Sequence, residues 1–118
     1  MKMFMVLLVL LPTLVCPLTA PAQQLVADTE AAQHVGQQVT ITGKVAQVFV
    51  SKNGNTFLNF GGAYPNQTFT GFIPLDARGT VGDVSALAHK VVTITGQVRI
   101  YKGKPEIVVT SRAQIKEA

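Results

Sequence analysis

The sequence predicts a small all-β domain: a barrel of five strands with two short helices, one before the first strand and one between the third and fourth. Two observations predict this. Short runs of alternating or β-branched apolar residues, separated by turn residues, fill most of the chain after residue 38. Residues 39–45 (VTITGKV) and 92–98 (VTITGQV) share one alternation and one glycine position, as expected of two strands that face one core and bend tightly.

Residues 1–22 have the pattern of a secretory signal peptide. A basic residue, Lys2, precedes an apolar run from Met3 to Leu11, and the segment ends in Ala20-Pro21-Ala22, a small-x-small cleavage pattern. Pro12 and Pro17 keep the apolar run short of the roughly 20 residues that span a bilayer, which disfavours a membrane anchor. We therefore expect cleavage near Ala22 and an exported protein, periplasmic or secreted, without a stable membrane span.

Cysteine and charge limit the chemistry of the mature chain. The only cysteine, Cys16, lies in the leader, so cleavage leaves 96 residues without disulfides, thiolate metal ligands or cysteine nucleophiles. Retention of Cys16 as a lipoprotein N-terminus is the alternative, although Val15 stands where such a signal has a small residue. Loss of Lys2 leaves nine basic and six acidic side chains. This mild excess permits a polyanionic partner without requiring one.

The first elements of the mature chain are a tail and a short helix. We expect residues 23–27 to be a flexible tail and residues 28–118 to be the domain. Asp28 suits the N-cap of a helix over 29–35, and Gly36 stands where a left-handed residue ends a helix. Such a short helix is not stable alone, so it docks on the core.

Five strands follow. The first is predicted at 39–50, and its apolar positions change parity between Val45 and Val48, which indicates a β-bulge near 43–47. Asn53-Gly54 is a strong hairpin signal. The remaining elements are expected in this order: strands at 56–60 and 69–74, a helix at 83–88, a strand at 91–101, a turn at 102–104 and a strand at 105–110.

The order of helix, three strands, helix and two strands is that of the OB-fold, a partly open Greek-key barrel. Three motifs resemble small bacterial secreted OB-fold domains that are described as nucleic-acid-binding-like. They are F-L-N-F-G-x-x-Y-P-N-Q-x-F (57–69), V-T-x-T-G-x-V-x-x-Y-x-G-K-P-E-I (92–107) and S-x-x-Q-I (111–115). The resemblance covers residues 28–115 and implies a five-stranded OB-fold barrel with a nucleic-acid ligand. By architecture alone, periplasmic OB-fold proteins that bind small ligands or cations are also similar.

Residues 56–72 hold five of the eight aromatic residues of the chain. Alternation places Leu58, Phe60, Phe69 and Ile73 in the interior and Phe57 and Asn59 on the opposite face. OB-folds that bind single strands stack bases on aromatic rings and hold phosphates with basic loops. The candidate ligand-binding residues are outward strand residues, loop tyrosines and basic residues of the hairpins: Lys52, Phe57, Asn59, Tyr64, Arg99, Tyr101, Lys102 and Lys104. The competing interpretations are core packing for the phenylalanines, loop pinning for Tyr64 and protection of edge strands for the lysines.

Catalysis finds little support in the sequence. Asp76 and Asp83 have no second carboxylate at a known catalytic spacing, and His34 and His89 lack the spacing of metal ligands. We expect no catalytic residue, no metal and no cofactor. The prediction is a monomeric, exported binding module that binds single-stranded nucleic acid, or another extended polyanion, weakly through its second and third strands and hairpin loops. The alternative is an envelope interaction domain whose groove takes a protein, a small molecule or a cation.

Overall fold

The computed structural model describes residues 24–118, and the predicted signal peptide at 1–22 lies outside them. The described chain has eight strands: β1 (Leu25–Ala27), β2 (Gln38–Val50), β3 (Thr56–Phe60), β4 (Phe69–Ile73), β5 (Val91–Gln97), β6 (Arg99–Tyr101), β7 (Lys104–Val108) and β8 (Ile115–Glu117). Its helical segments are the 3₁₀ helices Asp28–His34, Leu75–Ala77, Ser85–Leu87 and Arg112–Gln114, and the α-helix α1 (Arg78–Val81). None of these helices is long and apolar enough to cross a membrane.

The strands form one bent sheet in the order β6-β7-β4-β3-β2-β5-β8, with β1 paired to β2 outside this path. The long strand β2 serves both halves of the sheet, because its first part pairs with β5 and its second part pairs with β3. The register shifts between Val45 and Gln47, so the bulge predicted from the change of parity is confirmed. The parallel pairing of β4 with β7 brings the last hairpin beside the second and third of the predicted strands.

The repeated VTITG segments are direct partners. They pair antiparallel, so that Ile41 lies opposite Ile94 and Thr40 lies opposite Thr95. The two threonine hydroxyls are 2.8 Å apart and hydrogen-bonded, while both isoleucines are completely buried. Each copy therefore presents its apolar residues to the core and its threonines to the other face, which explains why both strands follow the same pattern.

The core lies on the concave side of the sheet. Leu58, Phe60, Phe69 and Ile73 are all buried, as predicted, and the rings of Phe60 and Phe69 pack edge to face with centroids 5.2 Å apart. Branched residues of β2, β5 and β7 complete this core: Val39, Ile41, Val45, Val92, Ile94 and Ile107. With the inward positions filled in this way, the alternate residues of β3 and β4 are held on the outer face.

The N-terminal predictions are wrong in two places. Residues 25–27 are not a flexible tail, because they form β1, which runs parallel to β2 with Val26 buried. A three-residue strand is too short to show a period, so alternation could not reveal it. Asp28 is not an N-cap: Ala27 takes that position, and the Asp28 carboxylate instead accepts a hydrogen bond from the Thr68 hydroxyl. Gly36 has the expected positive φ, 83°.

The region between β4 and β5 also differs from the prediction. Helical structure begins at Leu75 and continues through α1 to Val81, whereas of the expected helix at 83–88 only the 3₁₀ turn Ser85–Leu87 forms. Gly79 has a low helix propensity and so hid the earlier segment, which is fixed by packing of Ala77 and Val81 in the core. The predicted strand at 91–101 is divided at Val98 into β5 and β6. This division and two strands that were not predicted, β1 and β8, explain why the structure has eight strands where five were predicted.

Candidate ligand-binding groove

An open groove of about 460 Å³ lies on the outer face of the sheet, between the β3–β4 loop (61–68) and the β6–β7 hairpin. This volume falls within the range of roughly 300 to 1,000 Å³ that is usual for ligand sites. Its floor is made by residues of β2, β3, β4 and β7, and its rims carry tyrosines and lysines. The groove thus occupies the face of the sheet that is opposite the apolar core.

A ladder of polar side chains crosses this face. Its members are register partners on five adjacent strands: Gln47, Asn59, Thr70, Glu106 and Arg99. Asn59 Nδ2 donates to Gln47 Oε1 at 2.9 Å, and Thr70 Oγ1 donates to Asn59 Oδ1 at 3.1 Å. Arg99 donates from Nε and Nη2 to Glu106 Oε1 at 3.0 and 2.6 Å. These bonds fix the polar ladder before any ligand arrives.

Glu106 is the buried charge of the polar ladder. Its side chain is only 5% exposed, whereas that of its partner Arg99 is 49% exposed. Burial raises the pKa of Glu106 because it disfavours the ionised form, and the hydrogen bonds and positive charge of Arg99 partly oppose that effect. An ionised carboxylate can only accept hydrogen bonds, so this end of the groove favours donors.

Aromatic rings lie beside the polar ladder on the same face of the sheet, two residues along each strand. Phe49, Phe57 and Phe72 are successive cross-strand partners, with centroids 6.1 Å apart for the first pair and 5.3 Å apart for the second. Phe49 and Phe57 line the groove, and Phe49 is about half exposed. Two of these rings are therefore available as a surface on which a flat ligand can stack.

The β3–β4 loop forms one rim of the groove. The Tyr64 N–H donates to Gln47 Oε1 at 3.1 Å, which ties the loop to the polar ladder, and Lys104 Nζ donates to the Gln67 carbonyl at 3.1 Å. Thr68 anchors the end of the loop through its bond to Asp28. Tyr64 as a residue is nevertheless 72% exposed, so the backbone of the loop is held while its aromatic side chain stays accessible.

The β6–β7 hairpin forms the opposite rim. Its turn residues Lys102 and Gly103 both have positive φ, 48° and 78°, as a tight two-residue hairpin turn requires. Lys102 Nζ lies 5.4 Å from the Tyr101 ring centroid, and Arg99 Cζ lies 5.8 Å from it. Both distances are within the range of cation–π attraction. The hairpin therefore presents a half-exposed ring together with positive charge.

Six of the eight residues predicted for the site line one groove: Phe57, Asn59, Tyr64, Tyr101, Lys102 and Lys104. The exposure expected for both tyrosines is confirmed. Arg99 lies beside the groove, bonded to Glu106, and Lys52 lies at the tip of the β2–β3 hairpin outside the lining. The two predicted residues that do not line the groove, Arg99 and Lys52, are both cations, and ligand binding by the other six stays a prediction.

Several lining residues were missed, among them Gln47, Phe49, Gln67, Thr70 and Glu106. Gln47 and Phe49 could have been predicted from the alternation of β2. After the bulge its even-numbered residues turn toward the core and its odd-numbered residues face outward. Thr70 follows in the same way from the predicted core position of Phe69. Gln67 lies in a loop without periodicity, and Glu106 depends on the parallel pairing of β7 with β4, so neither had a local signal.

The acidic and histidine residues considered for catalysis are elsewhere: Asp76, Asp83, His34 and His89 do not line the groove. Asp83 Oδ1 accepts a hydrogen bond from the Ser85 N–H, and His34 Nδ1 pairs with Gln37 Oε1. Within residues 24–118, no group of three or more His, Cys, Asp or Glu side chains is placed to hold a metal ion.

Solved structures share this fold at low sequence identity. Asparaginyl-tRNA synthetase from Pyrococcus horikoshii matches with a TM-score of 0.53 and 16% identity, over 78% of this chain and 22% of its own. The S. pombe Stn1–Ten1 complex matches with a TM-score of 0.51 and 12% sequence identity, over 69% of this chain and 57% of the matched chain. OBody AM1L10, in a structure bound to hen egg-white lysozyme, matches with a TM-score of 0.56 and 18% sequence identity, over 83% of this chain and 95% of its own.

These neighbours are OB-fold proteins, so the predicted fold is confirmed. The chain spans about a fifth of the synthetase chain and more than half of the chain matched in the Stn1–Ten1 structure. Comparison of the sequence with protein-family models and with curated proteins gives no match. Membership of a family of small bacterial secreted OB-fold domains therefore stays a prediction.

Proposed function

We propose that this protein is an exported, non-catalytic OB-fold module that binds single-stranded nucleic acid, or another extended polyanion, weakly in the groove. One observation carries the proposal: exposed aromatic rings and lysines meet at a single groove, with Phe49, Tyr64 and Tyr101 supplying rings and Lys102 and Lys104 supplying charge. Each base stacked on an aromatic ring contributes about 1 to 3 kcal/mol, whichever base it is, and cations beside the rings hold the backbone.

The charge balance implies weak binding. Arg99 is bonded to Glu106, which leaves Lys102 and Lys104 as the lysines that line the groove. Two phosphate contacts on a single strand give a slope of only about −1.4 in a plot of log affinity against log salt concentration. Affinity should therefore come from stacking as much as from charge, and it should fall measurably as salt rises.

The structural neighbours support a nucleic-acid ligand. By its name, the synthetase acts on tRNA, and the matched part is about a fifth of that chain. Its aminoacylation is a property of the whole enzyme, so only binding is proposed for this domain. Export is supported by the signal-peptide pattern of residues 1–22.

The test is a titration of the purified full chain against labelled 12-nucleotide single-stranded DNA and RNA, at about 20 mM and about 200 mM salt. Fluorescence anisotropy gives the affinity. We expect the Lys102→Ala, Lys104→Ala variant to bind more weakly at low salt and to lose most of the salt dependence, because both phosphate contacts are removed. Lys116→Ala is the matched control, since this exposed lysine lies in β8 at the far edge of the sheet.

Two outcomes would contradict the proposal. Absence of oligonucleotide binding at low salt would remove the nucleic-acid function altogether. Binding that is weakened equally by Lys116→Ala and by the double variant would show that the groove lysines have no special role. Thermal unfolding of each variant checks that a loss of affinity does not come from a loss of folded protein.

A second candidate is binding of an envelope protein in the same groove. OBody AM1L10, which this chain matches over 95% of that chain's length, is bound to a protein, lysozyme. Phe49 and Tyr101 line the groove and are each about half exposed, and aromatic residues are enriched at protein interfaces. If this candidate is correct, the chain does not bind oligonucleotides at low salt. In addition, the wild-type chain retains a protein partner from solubilised envelopes, and the Tyr101→Ala variant does not.

A further inference from the structure

The groove contains hydrogen-bond acceptors that the protein leaves available. Glu106 lines the groove with its side chain 5% exposed, and both bonds from Arg99 are made to the same oxygen, Oε1. Gln67 also lines the groove, and its Oε1 is buried without a hydrogen-bond partner within residues 24–118. A buried acceptor without a partner is unfavourable by roughly 1 to 3 kcal/mol, so a ligand that supplies a donor gains affinity there.

The other side-chain oxygens of the polar ladder are already occupied. Gln47 Oε1 accepts from Asn59 Nδ2 and from the Tyr64 N–H, and Asn59 Oδ1 accepts from the Thr70 hydroxyl. These bonds hold the floor rigid, and in the polar ladder and the β3–β4 loop Glu106 and Gln67 keep an acceptor without a partner within residues 24–118. Both lie at the end of the groove where Lys104 bonds the Gln67 carbonyl.

The four bases differ in the donors they present to such acceptors. Guanine carries two adjacent donors on its pairing edge, N1–H and the N2 amino group, which match two acceptors, the second carboxylate oxygen of Glu106 and Gln67 Oε1. Cytosine and adenine each present one amino group beside a ring nitrogen that accepts, and thymine presents one N–H between two carbonyl oxygens. In these three cases an acceptor of the base would face an acceptor of the protein, which is unfavourable.

We infer that the groove prefers guanine in single-stranded nucleic acid, and that Glu106 and Gln67 are the residues that select it. This inference rests on the proposed function. The aromatic rims stack any base, because every base has a π-face, and so they supply affinity without selecting a base. Selection then comes from the edge contacts in the floor. One bidentate contact of this kind discriminates between bases by about tenfold or more.

The test uses the full chain and a series of nine-nucleotide thymidine strands whose central base is guanine, inosine, adenine, cytosine or thymine. We expect the guanine strand to bind about tenfold more tightly than the thymine strand. Inosine lacks only the N2 amino group of guanine, so the inosine strand should lose most of that advantage. This comparison changes the ligand alone and does not depend on the folding of a variant.

Glu106→Gln supplies the matching change in the protein. The change removes the carboxylate that accepts from guanine and also releases Arg99 from its ion pair, so the guanine advantage should disappear while every strand gains the same attraction from the freed cation. Tyr64→Ala, in contrast, should weaken all five strands by the same factor. Equal binding of the five strands by the wild-type chain, or an unchanged preference in Glu106→Gln, would overturn the inference and leave the proposed function standing. If none of the strands binds, both fail.

Discussion

At the scale of single residues, the most informative side chain is Glu106. It follows Pro105 in a short strand and is not among the site residues predicted from the sequence, yet it lies buried in the groove with Arg99 as its ionic partner. Desolvation raises the pKa of its carboxyl above the ordinary value of 4.5, because the surrounding protein disfavours the charged form more than Arg99 favours it. A buried carboxylate that is not fully compensated is typical of a binding site.

This pKa shift predicts how stability depends on pH. The folded chain binds the Glu106 proton more readily than the unfolded chain does, so this group lowers the free energy of unfolding as pH rises above the ordinary value of 4.5 and through the raised pKa of the folded chain. Glu106→Gln removes that contribution. We therefore expect the unfolding free energy of the variant, relative to the wild type, to increase as pH rises through this interval, as measured by urea denaturation. A difference that stays constant, or that decreases, would contradict the assigned pKa direction.

At the scale of secondary-structure elements, the β3–β4 loop decides whether the groove has a second rim. Within this loop, Gly62 packs so closely against Asn66 that an added Cβ would lie 2.7 Å from the Asn66 carbonyl oxygen. A backbone atom cannot move aside as a side chain can, so the loop would have to shift. The loop also carries Tyr64 and Gln67, and its movement should disturb the groove more than it disturbs the core.

We expect Gly62→Ala to lower the free energy of unfolding by about 1 to 3 kcal/mol and to weaken oligonucleotide binding. Gly79→Ala is the matched control, because nothing lies within 4 Å of a Cβ at that position of α1. There the change should raise stability by up to about 1 kcal/mol, since alanine favours helix, and leave binding unchanged. Urea denaturation and anisotropy measure both effects. An unchanged stability of Gly62→Ala would contradict the close packing of the loop. A loss of stability in Gly79→Ala would contradict the open space around that position of α1.

The elements that the sequence predicted are those with a repeating pattern. Alternation located the strands of the barrel, and the change of parity between Val45 and Val48 located the bulge. The helical segment at 75–81 was missed because Gly79 lowers its propensity and tertiary packing of Val81 compensates. β1 was missed because three residues show no period and its parallel pairing with β2 is a long-range contact.

At the scale of the whole molecule, the topology assembles the site. The polar ladder joins positions from 47 to 106 on five strands, and the order of those strands in the sheet does not follow their order in the chain. Rim residues such as Tyr64 and Lys102 could be predicted because loops at glycine and proline are exposed wherever they lie. The position of Glu106 in the floor could not be predicted, since whether it faces Thr70 depends on the register of β7 against β4.

The central claim, that this groove binds single-stranded nucleic acid, is tested most directly by locating the ligand on the protein. In a two-dimensional NMR titration of the ¹⁵N-labelled full chain with a short oligonucleotide at low salt, we expect the largest shifts at the groove. They should fall on the amides of Asn59, Tyr64, Tyr101, Lys102 and Glu106, with β1, β5 and β8 unaffected. Shifts confined to β5 and β8, or no shifts at all, would contradict the account.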